Sequence, residues 1–191
     1  MSFSVPPPAV QLVLLALVLV AAVYDVRYRR IPNWITATGV LIGLLLNAFL
    51  ETPAPAVLSF GGFLFALKGF GLAFGVYFFL YALRAMGAGD VKLMAGVGAL
   101  TGWQNWLGIF FVTAIVGGLA ALVLSLARGR LKNTLWNVGY ILSEMKHGRP
   151  AYLRREELDV RNPKALGLPH GAVIAAGTLL FLLAGRLAIK P

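Results

Sequence analysis

The 191-residue sequence contains no cysteine, which excludes disulfide scaffolding, thiol nucleophiles and cysteine-ligated zinc together. Histidine is nearly as scarce: His147 and His170 stand alone, with no zinc-type His/Glu spacing, and Ser/His/Asp catalysis has no support either. Charge of either sign is sparse, at 13% of residues, and acids number only seven against 17 bases. What takes their place is apolar. Hydrophobic residues reach 59% and the mean hydropathy is +0.82, which is too greasy for a soluble globule. Several runs approach or exceed the roughly 20 apolar residues needed to cross a bilayer. The expected fold is therefore all-α: a polytopic membrane helix bundle in one domain over 1–191, with the lipid bilayer as its solvent.

The pattern of apolar runs and breakers predicts about six transmembrane helices, near 9–24, 34–50, 58–83, 91–101, 106–127 and 170–187. Pro32 closes the first connection, and Glu51-Thr52-Pro53-Ala54-Pro55 and Thr101-Gly102-Trp103-Gln104-Asn105 read as turns. The third helix reads as breakable near Gly69 to Gly71. The first eight residues lack a basic region, so the first helix is expected to be retained and not cleaved as a signal. A polar connector, 128–169, carries Leu131, Leu135, Val138, Leu142 and Met145 at helical spacing, an amphipathic segment suited to a membrane surface. Glycines four apart (Gly39 and Gly43, Gly71 and Gly75, Gly98 and Gly102) predict close helix packing.

The formal charge of +10 points to topology and not to nucleic acid, because the bases sit between apolar segments. With Asp25, Asp90 and the 128–169 connector on one side, 14 of the 17 Lys and Arg residues collect there; Arg186 and Lys190 lie opposite and Lys68 falls within the third helix. Cytoplasmic loops are enriched in Lys and Arg. Both termini are thus expected outside and both aspartates at the cytoplasmic rim of the inner membrane.

Those aspartates are the chemistry-bearing residues. Charged side chains at membrane depth are costly and usually serve chemistry or transport. Asp90 lies in Gly87-Ala88-Gly89-Asp90-Val91-Lys92-Leu93, where the flanking glycines permit unusual backbone conformations and close approach of a partner. Asp25 ends the first apolar run. Two structural alternatives are concrete: Asp90 as a cap of the fourth helix, and Asp25 as an acid neutralised by Arg27 or Arg29. Taken together, however, two carboxylates held close share one proton, so that one can accept a proton from water while the other polarises a carbonyl. Two carboxylates alone would hold a divalent ion only weakly, so neither a metal nor another cofactor is expected. Lys92 and Arg84 stand where they could orient substrate or only snorkel to the interface, and Asn33 where it could bond near Asp25 or only build a turn.

Tyr24-Asp25 followed by Arg30-Ile31-Pro32-Asn33-Trp34, then the Gly87 to Leu93 block, then Leu168-Pro169-His170-Gly171-Ala172 with Gly177, resembles the type IV prepilin peptidase family of GxGD membrane aspartyl proteases. The resemblance spans nearly the whole chain. It implies that Asp25 and Asp90 are the catalytic pair, that Gly87, Gly89, Lys92, Pro32, Asn33 and Pro169 shape the site, and that the substrate is the basic leader of a prepilin or pilin-like precursor. It also implies pilus or secretion assembly machinery as a further partner. Long members of the family carry an additional N-terminal region with paired cysteines, associated with N-methylation of the new terminus. This sequence resembles the short, peptidase-only form found with Flp (tight-adherence) pili, for which cleavage without methylation is expected. Substrate binding is expected to rest on the apolar substrate helix and on acids near the site, with Glu144, Glu156, Glu157 and Asp159 as candidates. Three other readings stay open at this point. A presenilin or signal-peptide-peptidase-like protease would share the chemistry but use more spans; a proton-coupled carrier would hold its acids near mid-membrane; an assembly factor would have no chemistry at all.

Overall fold

The computed structural model describes residues 6–50, 59–146 and 168–188, with the side chains of residues 142, 145 and 146 excepted. The expected turn at 51–55 lies outside the described residues, as do His147, Glu156, Glu157, Asp159 and the rest of 147–167. All regular structure among the described residues is helical: α1 (Pro8–Tyr28), α2 (Asn33–Leu50), α3 (Phe60–Ala82), α4 (Ala88–Ala127), α5 (Leu131–Lys146) and α6 (His170–Ala188). Five of them, all but α5, are long and apolar enough to cross a membrane. This is a multi-pass membrane protein.

Local chemistry sets the helix ends. Pro8 opens α1 at the position where a missing amide costs nothing. Helix α1 runs past Tyr24, where the apolar run ends, and closes one turn later because Arg29 adopts a left-handed conformation and its amide returns to the Asp25 carbonyl at 2.9 Å. Asp25 is thereby inside the last turn and not beyond it. Ser59 caps α3, its hydroxyl accepting the Gly62 amide at 3.2 Å, while its own amide bonds the Ala48 carbonyl near the end of α2. Beyond α4, Gly129 (φ 63°) turns the chain and the Arg130 amide returns to the Ser125 carbonyl, a helix stop of the left-handed kind. The amphipathic segment of the connector forms α5, with Leu135, Trp136 and Val138 exposed.

Helix α4 doubles back. Its only non-helical residue is Gly102 (φ 72°, ψ 169°), so the expected five-residue turn contracts to one glycine. Before the break, Gly98 and Gly102 pack against Gly69 and Phe65 of α3. After it, Trp106 and Phe110 both reach Tyr77, with ring centroids 6.3 and 6.0 Å away. Tyr77 lies two turns nearer the Asp90 end of α3 than Gly69 does, a distance of about 12 Å at the helical rise. A straight helix could not make both sets of contacts. The return arm then runs antiparallel to α6, Gly108 meeting Phe181 and Gly117 meeting Val173. Against the six spans expected, five helices among the described residues are long and apolar enough to cross, because the segments expected at 91–101 and 106–127 run on as one helix, α4, that doubles back at Gly102.

The first arm of α4 is the post of the bundle. Every residue from Leu93 to Gly102 is buried, and α1, α2 and α3 pack around it. A helix enclosed on all sides needs no polar face, but it does need room. Gly43 faces the Ala99 backbone, where an added Cβ would sit 2.9 Å away, and Gly69 faces Gly98 so closely that any side chain would strike its carbonyl. This corrects the expected weakness of α3 near Gly69 to Gly71: the helix is continuous, and Gly69 is there for close approach. A second correction concerns Gly71 and Gly75, which meet nothing within 4 Å. Their spacing matches that of Gly98 and Gly102, yet they sit on the outer face. Lys68, also exposed, shares that face.

Candidate active site

One end of the bundle gathers the end of α1, the starts of α2 and α4, and the start of α6. Asp25 is 9% exposed, and its Oδ2 accepts the Gly171 amide at 2.7 Å. Gly171 is the second residue of α6, where amides have no partner within the helix, so a carboxylate from α1 closes an open helix end 146 positions away in sequence. Pro169 precedes this end, its carbonyl accepting the amides of Ala172 and Val173. Glycine keeps this approach free of crowding: an added Cβ would lie 3.0 Å from Asp25 Cβ and 3.2 Å from Ile31 Cδ1, so a neighbour would have to give way.

Asp90 is positioned by its own helix. Gly87 takes the N-cap place with φ −80° and ψ 153°, which makes Asp90 the third helical residue, and its Oδ2 accepts the Gly87 amide at 3.2 Å. Helix α4 therefore starts at Ala88, before Asp90 and not after it. Asp90 supports the first turn from inside, as the acid of a capping box does. Neither Gly87 nor Gly89 has a positive φ, so the glycines are not there for unusual conformations. Their role is space. A Cβ on Gly89 would come 3.2 Å from Ile31 Cβ, and one on Gly87 would come 3.3 Å from Asp90 Oδ2.

Ile31 joins the two halves. It is 6% exposed and packs on both Gly89 and Gly171, wedged between the helix starts that carry or bind the two acids. Asp25 and Asp90 are brought within electrostatic reach of each other, and Asp90 also feels His170 and Tyr77. Four helices thus contribute a polar side chain to one region. Lys92 and Asn33 bond to each other at the exposed rim, Nζ donating to Oδ1 at 2.9 Å, and tie the starts of α2 and α4 together. Pro32 and Asn33 line a cleft of about 380 Å³ with Tyr24, Tyr28 and Arg30. A second groove of about 450 Å³ runs from Asn33 and Lys92 between α2 and α3, walled by Val40, Leu41, Leu44, Phe70 and Phe74. No three His, Cys, Asp or Glu side chains gather as a metal cage among the described residues.

Three members of this constellation are not picked out in the sequence. Ile31 lies inside a quoted motif but reads as part of a turn. Tyr77 sits in an aromatic run (Tyr77-Phe78-Phe79) of the third apolar segment, where the sequence does not set it apart. Gly171 offers its backbone, and a backbone amide leaves no signature except the proline two residues before it.

A profile of the type IV leader peptidase family matches residues 12–122, a range that holds both aspartates, Ile31 and Tyr77. The chain belongs to that family. It is 30% identical over 115 residues to a prepilin leader peptidase/N-methyltransferase of Pectobacterium carotovorum subsp. carotovorum, covering 59% of this chain and 40% of that protein. A preflagellin peptidase of Methanocaldococcus jannaschii is 33% identical over 82 residues, 43% of this chain and 33% of the other. A prepilin leader peptidase/N-methyltransferase of Escherichia coli (strain K12) is 30% identical over 111 residues, 56% and 47% of the two chains. The matched region thus spans less than half the length of each of these curated relatives. No solved structure matches the chain. Helix α6, whose first amides bind Asp25, lies beyond the region by which the chain is assigned to the leader peptidases.

Proposed function

We propose that the chain is a membrane aspartyl endopeptidase which removes the leader of type IV prepilin or pilin-like precursors, with Asp25 and Asp90 as its catalytic pair. The observation that carries the reading is that two acids 65 positions apart, on different helices, are held at one end of the bundle by Ile31 packed on Gly89 and Gly171. A chain with 59% hydrophobic residues has little reason to bring two of its seven acids together, unless their proximity is used.

The chemistry follows from a shared proton. One carboxylate takes a proton from water as its oxygen attacks the scissile carbonyl; the other gives its proton to the carbonyl oxygen, forming a neutral tetrahedral diol. Collapse returns a hydroxyl proton to one carboxylate while the other protonates the departing amine, and the pair regains its starting state. The bases Arg27, Arg29, Arg30, Arg84, Lys92 and Arg128 lie toward the same end as the acids, and this favours a cytoplasmic site in the inner membrane. Arg186 lies at the opposite end, bonded to Gln11. Lys92 and Asn33 brace the rim of the site, Gly87 and Gly89 make room in it, Pro32 shapes its adjoining cleft and Pro169 sets the start of α6. The reading extends to cleavage without methylation of the new terminus, as in the short, peptidase-only form that the sequence resembles. Its working context would be a pilus or secretion assembly system.

The test is co-expression with short pilin precursors, reading cleavage by mobility and the new terminus by mass spectrometry. Asp25→Asn and Asp90→Asn should each abolish cleavage while the protein stays in the membrane. Cleavage surviving either substitution removes that residue from the pair, and a methylated product removes the second half of the reading.

A further inference from the structure

Two clefts meet at Asn33, and the reaction described above gives neither a task. Asn33 lines both the cleft that holds Tyr24, Tyr28 and Arg30 and the groove between α2 and α3. Lys92, whose Nζ bonds Asn33 Oδ1 at 2.9 Å, stands at the same mouth of the groove. It follows Asp90 by two residues, about 3 Å along the helix axis. From this mouth the groove follows α2 from Asn33 to Leu44, about 16 Å at the helical rise. That is about half the hydrocarbon thickness of a bilayer. Its surface below the mouth is apolar, because the Thr36 hydroxyl donates to the Asn33 carbonyl at 3.0 Å. The base is made of small buried residues, Thr36 and Ala95, while Leu41 and Phe74 at the edges stay exposed. The groove therefore opens sideways on the outer surface of the bundle.

A precursor whose scissile bond lies at the acids must carry its apolar segment from that point into the bilayer. The groove begins where the segment enters and is open to lipid along its length. Its volume of about 450 Å³ is less than a whole helix about 10 Å across would fill over that distance, and suits the ridge of side chains along one helix face. Small residues at its base permit the close approach on which helix pairing in membranes depends. We propose that this groove docks the apolar segment of the precursor, seated as a helix against α2 and α3, while the leader side of the chain passes over Asn33 into the tyrosine-lined cleft. A lipid chain would fill an apolar slot anywhere on the bundle; the mouth beside Asp90 and the residue shared by both clefts favour the precursor. The inference rests on the proteolytic reading of Asp25 and Asp90, and adds to it the place where the membrane part of the substrate binds.

The experiment measures KM and kcat of purified protein in micelles on a full short pilin precursor and on a leader peptide that lacks the apolar segment. Ala37→Trp sets a ring into the groove from an exposed position on its wall. It is expected to raise KM for the full precursor about tenfold or more, the size of effect that overpacking produces, and to leave cleavage of the leader peptide unchanged. Ile42→Trp, on the same helix but outside the groove, is expected to match wild type on both. A wild-type KM for the full precursor in Ala37→Trp overturns the proposal, as does an equal loss on both substrates. If Ala37→Trp does not accumulate, photo-crosslinking decides: in Asp25→Asn co-expressed with the precursor, p-benzoylphenylalanine replaces Leu41 in the groove or Leu19 on the exposed face of α1. An adduct with the apolar segment at position 41 and none at 19 supports docking; adducts with lipid alone, or equal adducts at both positions, overturn it. Cleavage by Asp25→Asn, or none by wild type, sinks the proteolytic reading and this inference with it. An inactive Asp25→Asn beside an Ala37→Trp that handles the full precursor as wild type does sinks this inference alone.

Discussion

Replacing Asn47 with leucine tests how the break at Gly102 is stabilised. Asn47 is 6% exposed near the end of α2. Its Nδ2 donates to the carbonyls of Gly43, Ala99 and Leu100 at 2.9, 2.9 and 3.1 Å. In an unbroken helix the Ala99 and Leu100 carbonyls would take the amides four residues on, at 103 and 104. Gly102, at φ 72° and ψ 169°, turns those amides out of line. The asparagine therefore does for the end of one membrane helix what a backbone amide would otherwise do. Leucine keeps the volume and removes the donor. An average side-chain hydrogen bond between membrane helices contributes only about 0.6 kcal/mol, because the separated helices find other partners. The carbonyls of a broken helix end have no such alternative, and leaving one buried and unpaired costs about 1–3 kcal/mol. With two carbonyls exposed to this loss, a destabilisation of about 2 kcal/mol is expected, some thirtyfold in the folding equilibrium. Equilibrium unfolding in mixed micelles, followed by tryptophan emission, reads it directly, since Trp103 and Trp106 adjoin the break. Cleavage at low temperature should persist, because Asn47 lies at the opposite end of the bundle from the acids. Stability within about 0.5 kcal/mol of wild type would refute the argument and leave the break held by packing alone.

Two further substitutions separate room from spacing. Gly69→Ala places a methyl on the Gly98 carbonyl and within 2.8 Å of Gly102 Cα, and should destabilise by about 1–3 kcal/mol as overpacking does. Gly75→Ala, with nothing within 4 Å, should be neutral or gain up to about 1 kcal/mol of helix propensity. Equal effects in the same unfolding assay would show that the outer face is occupied. At the site, Gly171→Ala brings a methyl to 3.0 Å from Asp25 Cβ; it should cut cleavage by about tenfold or more through displacement of the carboxylate with a smaller effect on melting, and full activity would show that Asp25 does not depend on this amide.

Much of the fold was legible because the bilayer imposes one strong rule, that each crossing be apolar along its length. The six apolar runs, the turn residues between them and the amphipathic segment that became α5 all carry that signal. The short first arm of α4 was legible too, since Thr101 to Asn105 interrupts the run. Helix ends were less so. Helix α1 outlasts its apolar run by a turn because Arg29 can close it in a left-handed conformation, and α4 begins before its acid because Gly87 can cap with no side chain at all. At the site, side chains were easier to read than the features that hold them. Asp25 and Asp90 stand out as acids among apolar residues, whereas the Gly171 amide and the Ile31 wedge act through backbone and shape.

The glycines show why the remainder was hidden. Gly71 and Gly75 have the same spacing as Gly98 and Gly102, so sequence periodicity assigns both pairs to helix contacts. Which pair makes contacts depends on how each helix is rotated about its axis. In a soluble protein the polar face settles that rotation; in a membrane both the lipid-facing and the protein-facing sides are apolar, and the cue is lost. The rotation of α3 is settled instead by Gly69, which packs on Gly98, and by Tyr77, whose ring meets Trp106 and Phe110 of the return arm of α4. That rotation turns Gly71 and Gly75 outward. Residues that set the register of the central post therefore also decide what surrounds the acid at its start, and packing changes at Gly69 and Gly98 should be felt at the site as well as in stability.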